Sequence, residues 1–333
     1  MVETLICVAD WYRGNDQSEK KRIENLTFPL GYSPYKTRGD CHYDQAKADK
    51  AVKLIESFVW HTKGFTGRLK LEQWQRDIIQ TIFGWVRPDG TRRYREVYLE
   101  VARKNGKSLL QVGIGLVCLY FDGESGPEIY SAASDTEQAR IIFDGALYQV
   151  EQNPSLKRRS QTFRKSIVVP QTAGSWKVLS SKPKHGTNPS CVLFDELHQQ
   201  PNDELWAALK TGLASRKQPL WVSTTTAGQY GTTSLCWQRH EYAESVANGM
   251  YDDPYFLPII YAAPIDAYWT DPKVWRLANP NLGVSVKEQT LTEDCDKAKK
   301  LPAEENNFRR YNLCQWVEHS GAKWVSADKW KAC

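Results

Sequence analysis

Three consecutive segments in residues 95–121 constrain the fold more than any other part of this 333-residue chain. Val97, Leu99 and Val101 alternate along residues 95–102, which is the period of a β-strand. A glycine-containing loop follows, and residues 107–121 form a largely apolar stretch of helical length. A strand that passes through such a loop into a buried helix predicts an α/β domain with the loop at one edge of the sheet.

The same alternation continues along the chain. We predict helices at about 44–60, 71–85, 135–150, 203–215 and 234–249, and strands at 127–134, 166–170, 175–181, 190–196 and 219–228. This order predicts a mainly parallel sheet flanked by helices. Residues 13–45 and 263–283 are predicted to be irregular, because they are rich in residues that favour turns. Two more helices are predicted near 286–300 and 303–314.

Composition narrows the class of protein. With 25% charged residues and no run of about 18 apolar residues, the chain is predicted to be globular, with no membrane span. The N-terminus has early acids and no long apolar core, so we expect no secretory signal. Eight cysteines without a C-x-x-C pair predict buried free thiols in a reducing cytosol. A net charge of +5 permits a polyanionic partner without requiring one.

The loop in "VARKNGKSLL" (101–110) matches most of the phosphate-binding pattern G-x-x-x-x-G-K-[ST]. Gly106, Lys107 and Ser108 fit, whereas Val101 replaces the first glycine. In such loops backbone N–H groups hold phosphates, the lysine reaches the β- and γ-phosphates, and the hydroxyl binds Mg²⁺. An ordinary strand-to-helix turn remains an alternative for this loop alone. The predicted nucleotide-binding residues of the loop are Arg103, Lys104, Asn105, Gly106, Lys107, Ser108 and Leu109.

A second motif, "CVLFDELH" (191–198), supplies the acids that a nucleotide hydrolase needs. Four apolar strand residues lead into Asp195, which would hold Mg²⁺ directly or through water. Glu196 would orient and polarise the attacking water. Because phosphoryl transfer depends on positioning and charge neutralisation, the two motifs together predict ATP binding and hydrolysis.

Further candidates come from hydroxyl, arginine and glutamine side chains. The strand "VSTTTAG" (222–228) ends in consecutive hydroxyl residues, of which Thr225 is predicted to sense the γ-phosphate, although a Ser/Thr-rich turn is an alternative. Arg103 could reach the γ-phosphate in cis, and Arg140 could serve a neighbouring subunit in trans. Each could instead form a surface ion pair. Gln75 could contact the adenine edge or lie on a solvated helix face.

These motifs, "ARKNGKS", "LFDELH" and "STTTAG", together with "LEQWQRDIIQTIFGW", "WRLANPNLG" and "FRRYNLCQW", resemble the large terminase subunit of tailed bacteriophages of the HK97-like type. The resemblance spans roughly residues 45–333. Phosphate loops of that family commonly lack the first glycine and carry an early basic residue, a position that Arg103 occupies in this sequence.

The resemblance implies a P-loop NTPase of the RecA/ASCE-like type that packages double-stranded viral DNA into a procapsid in the host cytoplasm. It implies ATP and Mg²⁺ as ligands, and the portal protein, a small terminase subunit and a homo-oligomeric ring as partners. By position in the family motifs, Lys107 and Ser108 correspond to the loop lysine and hydroxyl, and Asp195 and Glu196 to the metal-binding and catalytic acids. Thr224–Thr226 fall in the coupling motif, and Arg140 corresponds to the trans-acting arginine.

The resemblance also predicts a division of the chain. Residues 1–65 would form a lead-in and helix, 66–262 the ATPase core, and 263–333 a small lid or linker subdomain. The RNase H-like nuclease domain of the family is expected to be absent, so nuclease activity is not expected.

Two other classes of function remain open on the sequence. A DEAD-like helicase shares the loop and the acidic motif, but it needs a second RecA-like domain, for which the roughly 105 residues after "STTTAG" are too few. A nucleotide-binding assembly factor that does not hydrolyse ATP would have no need for Glu196.

Overall fold

The computed structural model describes residues 21–179, 186–230 and 234–318. The start of the predicted lead-in, the last two residues of the strand predicted at 175–181 and the tail from residue 319 lie outside the described residues. No helix in the described ranges is long and apolar enough to cross a membrane.

The helices and strands alternate along most of the described chain. The α-helices are α1 (Gln45–Phe58), α2 (Gln73–Gly84), α3 (Lys107–Tyr120), α4 (Thr136–Gln152), α5 (Pro154–Lys157), α6 (Glu204–Gly212), α7 (Leu235–Ala247), α8 (Pro272–Ala278), α9 (Glu288–Ala298) and α10 (Pro302–Leu313). The strands are β1 (His42–Tyr43), β2 (Trp85–Val86), β3 (Glu96–Glu100), β4 (Glu128–Ala132), β5 (Gln161–Phe163), β6 (Ser166–Val169), β7 (Gly174–Leu179), β8 (Cys191–Phe194), β9 (Leu220–Thr225), β10 (Gln229–Tyr230), β11 (Phe256–Ile260) and β12 (Val317–Glu318).

An eight-stranded sheet organises the molecule, in the order β11-β3-β9-β8-β4-β7-β6-β5. The five pairs from β11 to β7 are parallel, and the pairs of β6 with β7 and β5 are antiparallel. β9 lies between β3 and β8, so the carboxyl ends of these three strands meet at one edge. The mainly parallel α/β fold predicted from the sequence is therefore confirmed.

Helix α3 packs closely on the sheet because glycine occurs where the helix meets a large side chain. A Cβ built on Gly115 would lie 2.2 Å from Trp176, an atom overlap that would force the helix outward. Trp206 and Trp221 pack with ring centroids 4.3 Å apart elsewhere in the core. Seven of the thirteen tryptophans are buried, so core packing accounts for most of this unusual content. The six described cysteines are buried and free, as predicted.

Some elements differ from the prediction. The edge strand β11 was not predicted; it contains Pro258, which is tolerated at a sheet edge because one side of the strand needs no ladder partner. Helix α8 lies inside residues 263–283, which we predicted to be irregular; Pro272 occupies its first turn, and the Asp271 side chain caps it. The short strands β1, β2, β5, β10 and β12 were also missed, because two- or three-residue strands have no measurable period.

A buried polar cluster joins β3 to α7 and to the residues just before β12. The Glu100 carboxylate accepts hydrogen bonds from Tyr98 Oη (2.8 Å) and Trp316 Nε1 (3.1 Å) and lies 2.9 Å from His240 Nδ1. Burial by itself lowers the pKa of His240, but the neighbouring carboxylates of Glu100 and Glu244 override it and raise the pKa to about 10. His240 is therefore charged in the folded protein at neutral pH.

This cluster predicts a loss of stability in alkali. An unfolded histidine has a pKa of about 6.5, so the stabilisation by His240 is full below about pH 6.5 and disappears as the pH rises towards 10. Replacing His240 by glutamine should cost about 3–5 kcal/mol at pH 6, because it leaves Glu100 buried without a cation. Thermal melting of both proteins at pH 6 and pH 9.5 measures this. The difference in melting temperature between wild type and the variant should be smaller at pH 9.5 than at pH 6. A difference that does not change with pH would contradict a charged His240 in the folded protein.

Candidate active site

The loop between β3 and α3 has the backbone geometry of an anion-binding turn. Gly106 is the N-cap of α3 with φ of 86°, in the left-handed region that favours glycine, and Lys104 also has a positive φ of 66°. No side chain caps the helix. The first N–H groups of α3 therefore lack a side-chain acceptor, and the positive end of the helix dipole faces the loop.

Backbone carbonyl groups at the start of the loop hold the Lys107 side chain. Its side chain is 6% exposed, and Nζ donates to the carbonyl oxygens of Val101 (3.0 Å) and Ala102 (3.4 Å). Val101, which replaces the first glycine of the common pattern, is fully buried and serves as a core residue. A buried ammonium group bonded only to neutral carbonyls favours a nearby anion.

Asp195 and Ser108 meet across the sheet edge, as a magnesium site requires. Ser108 Oγ lies 3.5 Å from Asp195 Oδ2, while Gln111 Nε2 and Thr224 Oγ1 both donate to Asp195 Oδ1. Asp195 itself is 2% exposed. Among the residues that the structure describes, no group of three His, Cys, Asp or Glu side chains could hold a metal ion. One carboxylate and one hydroxyl fit Mg²⁺, which takes its other ligands from water and phosphate.

Glu196 adopts a backbone conformation that is rare for a side chain of its size, with φ 48° and ψ 53°. Such strain persists where the surrounding structure enforces it and is concentrated at functional sites. Its Oε2 is buried and has no hydrogen-bond partner in the described ranges, although His198 Nδ1 is 3.2 Å away. Burial raises the pKa of Glu196, while Lys107 and Arg103 oppose the shift. This carboxylate is poised to accept a proton.

His198 beside it is neutral. Burial, reinforced by Arg310, Arg103 and Lys107, lowers its pKa to about 3. The contact with Glu196 is therefore not an ion pair. The hydroxyl of Thr225 accepts a hydrogen bond from the His198 backbone N–H (3.1 Å), which fixes the turn that follows Glu196.

Residues distant in sequence form hydrogen bonds that hold the loop in place. Asn105 Nδ2 donates to Asn279 Oδ1 (2.9 Å), and the backbone N–H of Asn281 donates to Asn105 Oδ1 (3.0 Å). Trp74 Nε1 donates to Asn281 Oδ1 at 2.6 Å. We call Trp74, Asn105, Asn279 and Asn281 the asparagine clamp. Asn105 is fully buried within it, and its side chain shapes the loop.

The remaining predicted residues occupy different positions around this centre. Gln75 is 5% exposed, and its Oε1 accepts from the Glu72 backbone N–H, completing a capping box at the start of α2. A Cβ built on Gly106 would lie 3.2 Å from Gln75 Nε2, so the amide borders the loop. Leu109 is partly buried against the core. Arg140 is partly exposed and contacts Arg164 O and Asp144, so the structure does not bring it to the other residues.

Several residues of the centre were not predicted individually. Thr224 contacts Asp195, whereas the hydroxyl of Thr225 bonds to the His198 backbone N–H, because successive residues of a strand face opposite sides. Gln111 lies one helical turn after Lys107 and thus on the same face of α3. Asn279 and Asn281 occur in "WRLANPNLG", where three asparagine or proline residues indicate a turn but not its partner.

Comparison with known families agrees with this geometry. Residues 73–245, just over half of the chain, match the family model described as terminase large subunit, ATPase domain. The chain belongs to this family.

Relatives of this terminase ATPase domain are found among phages. It is 29% identical over 297 residues to the terminase large subunit of Enterobacteria phage HK97, covering 86% of this chain and 56% of the relative. It is 26% identical over 283 residues to the terminase large subunit of Lactococcus phage SK1, covering 81% and 52%. The crystal structure of the HK97 large terminase matches with a TM-score of 0.71 at 28% identity, covering 81% and 55%. The chain thus spans about half the length of these relatives.

The asparagine clamp gives a prediction for stability. Replacing Asn281 by alanine should lower the free energy of unfolding by about 1–3 kcal/mol, because the indole N–H of Trp74 loses its acceptor in a buried position. The exposed Asn248 provides a matched control, and its change to alanine should cost less than about 0.5 kcal/mol. Urea unfolding of the three proteins measures both values. Equal free energies of unfolding for the two variants would show that the asparagine clamp does not stabilise the fold.

Proposed function

We propose that this chain hydrolyses ATP and uses the energy to move double-stranded viral DNA into a procapsid. The observation that carries the proposal is the meeting of Lys107, Ser108, Asp195 and Glu196 at the carboxyl edge of β3 and β8, in a chain that belongs to the terminase ATPase family. Ligands of parallel α/β sheets bind at this edge.

The residues divide the chemistry of ATP hydrolysis among them. The N–H groups at the start of α3 and the ammonium of Lys107 bind the phosphates, so that negative charge on the γ-phosphate is neutralised. Glu196 accepts a hydrogen bond from the attacking water and polarises it. Burial raises the pKa of this carboxylate, which makes it a stronger base than an exposed glutamate.

Ser108 and Asp195 are the residues that would hold Mg²⁺, which when bound neutralises phosphate charge. Arg103 extends from the same loop and lowers the pKa of Glu196, which places its charge close to that carboxylate. We assign it to the γ-phosphate in cis. Gln75, at the border of the loop, is assigned to the adenine edge.

The proposed motor assembles from several copies of the chain. Arg140 is its trans-acting arginine; the i,i+4 ion pair with Asp144 is partly exposed, so releasing Arg140 towards a neighbouring subunit costs little. The family supports a homo-oligomeric ring, the portal protein and a small terminase subunit as partners, and the host cytoplasm as the location. Residues 66–262 would form the ATPase core and residues from 263 onward a lid or linker against the loop.

Two alternatives are less well supported. A DEAD-like helicase is disfavoured because the family match covers the motif-bearing residues 73–245 with a terminase model. A nucleotide-binding assembly factor without hydrolysis is disfavoured by Glu196, whose strained backbone and unpartnered carboxylate oxygen serve no purpose in binding alone.

Replacing Glu196 by glutamine should reduce ATP turnover about 10²–10⁴-fold, because the amide cannot accept the proton of water. ATP should still bind. Phosphate release is measured over a range of protein concentrations, with and without duplex DNA. Wild-type turnover per subunit should rise with concentration as rings form. The exposed Glu241 is the matched control, and its change to glutamine should leave turnover unchanged. Equal rates in wild type and the Glu196 variant would favour the assembly-factor alternative.

Replacing Lys107 by alanine should weaken ATP binding about 10–100-fold, through loss of charge-assisted hydrogen bonds. The exposed Lys297, changed to alanine, should bind like wild type. Calorimetric titration with ATPγS and Mg²⁺ measures both. Chelation of Mg²⁺ by EDTA should abolish turnover in the wild type. If the Lys107 variant kept full affinity, the loop would be an ordinary turn.

A further inference from the structure

Arg310, on the last turns of α10, is a cation without a polar partner. Its Nε is buried and makes no hydrogen bond, and no ion pair or hydrogen bond joins its guanidinium to any other residue that the structure describes. Its contact is with the ring of Tyr311, whose centroid lies 4.9 Å from the Arg310 Cζ. A partly buried guanidinium in this state is costly unless an anion binds it.

The neighbouring Arg309 on the same helix is in a different state. Arg309 Nε donates to Gln315 Oε1 (3.0 Å), Nη1 lies 3.3 Å from Glu305 Oε1, and Nη2 donates to Ile265 O (3.4 Å). Arg309 is thus satisfied within the C-terminal segment, whereas Arg310 is not.

The position of Arg310 relative to the loop is fixed by the residue that follows it. The backbone N–H of Arg103 donates to Tyr311 O at 2.9 Å, and the guanidinium of Arg103 lies 3.6 Å from the centroid of the same ring. Arg103 and Arg310 therefore share one aromatic ring beside the loop. Cation–π contact with tyrosine stabilises both, but it leaves their N–H groups available to an anion.

Arg310 also acts on the catalytic turn. It is the charge that most strongly lowers the pKa of His198, whose ring is 6.0 Å from that of Tyr311 and 3.2 Å from the carboxylate of Glu196. The cation thus lies within electrostatic reach of the turn that carries Glu196. The terminal phosphate of ATP must lie close to this turn for Glu196 to direct water at it.

We propose that Arg310 is a second cis-acting arginine, supplied by α10, that binds the terminal phosphate of ATP. This inference rests on the proposed function. Since ADP lacks that phosphate, Arg310 would distinguish ATP from ADP and would strengthen the contact between α10 and the loop while the γ-phosphate is present.

Calorimetric titration of the full chain with ATPγS and with ADP, both with Mg²⁺, tests the inference. Replacing Arg310 by glutamine should weaken ATPγS binding about 10–100-fold and ADP binding by less than about twofold. Arg310→Lys, which keeps the charge without the guanidinium fork, should give an intermediate loss. Arg309→Gln is the matched control and should leave the ratio of the two dissociation constants unchanged, even where it lowers stability.

Thermal melting without nucleotide separates this role from a structural one. Because Arg310 forms no hydrogen bond or ion pair in the described structure, Arg310→Gln should melt within about 2 °C of wild type. Loss of ADP and ATPγS affinity in parallel, or an unchanged ratio, would overturn the inference while leaving the proposed function intact. If wild type bound neither nucleotide, or if Lys107→Ala bound both like wild type, the proposed function would fail, and this inference with it.

Discussion

Parallel pairing of β3, β9 and β8 is the constraint on which the rest of the structure depends. It brings Lys107 and Ser108, which follow β3, to the same sheet edge as Asp195, which follows β8, although the two motifs are almost 90 residues apart. β9 between them contributes Thr224, which holds the Asp195 carboxylate in place. No single segment of the chain could form this site, so its geometry depends on the stability of the sheet.

The loop is also held from outside the sheet. The asparagine clamp joins Asn105 to residues 174 and 176 positions later, and the backbone of Arg103 bonds to Tyr311. Glu100, immediately before the loop, bonds to Trp316. The segment from α8 to β12 therefore contacts the loop at several points. These contacts are direct and polar, so the segment supports the loop from outside the core.

The sequence was sufficient for the fold class, most helices and the two motifs, because each depends on local period or on a short pattern. Lys107, Asp195 and Glu196 belong to patterns whose mechanism dictates their spacing. The sequence could not show which of Thr224 and Thr225 faces Asp195, since a one-residue change of register turns every side chain of a strand to the other face. Asn281 was missed because it contacts Asn105 across 176 residues. Arg310 was missed because the adjacent Tyr311 brings it to Arg103, about 208 residues earlier in the chain, and a single sequence carries no signal for such contacts.

Hydrogen exchange of the wild-type chain, with Mg²⁺ and either ATPγS or ADP, tests most directly the claim that the loop and the C-terminal segment form one nucleotide site. Peptides covering residues 101–111 should be protected by both nucleotides, because both carry phosphates that bind the loop. Peptides covering residues 302–316 should be protected by ATPγS more than by ADP. Protection confined to the loop with both nucleotides would contradict the account, and no protection anywhere would refute nucleotide binding itself.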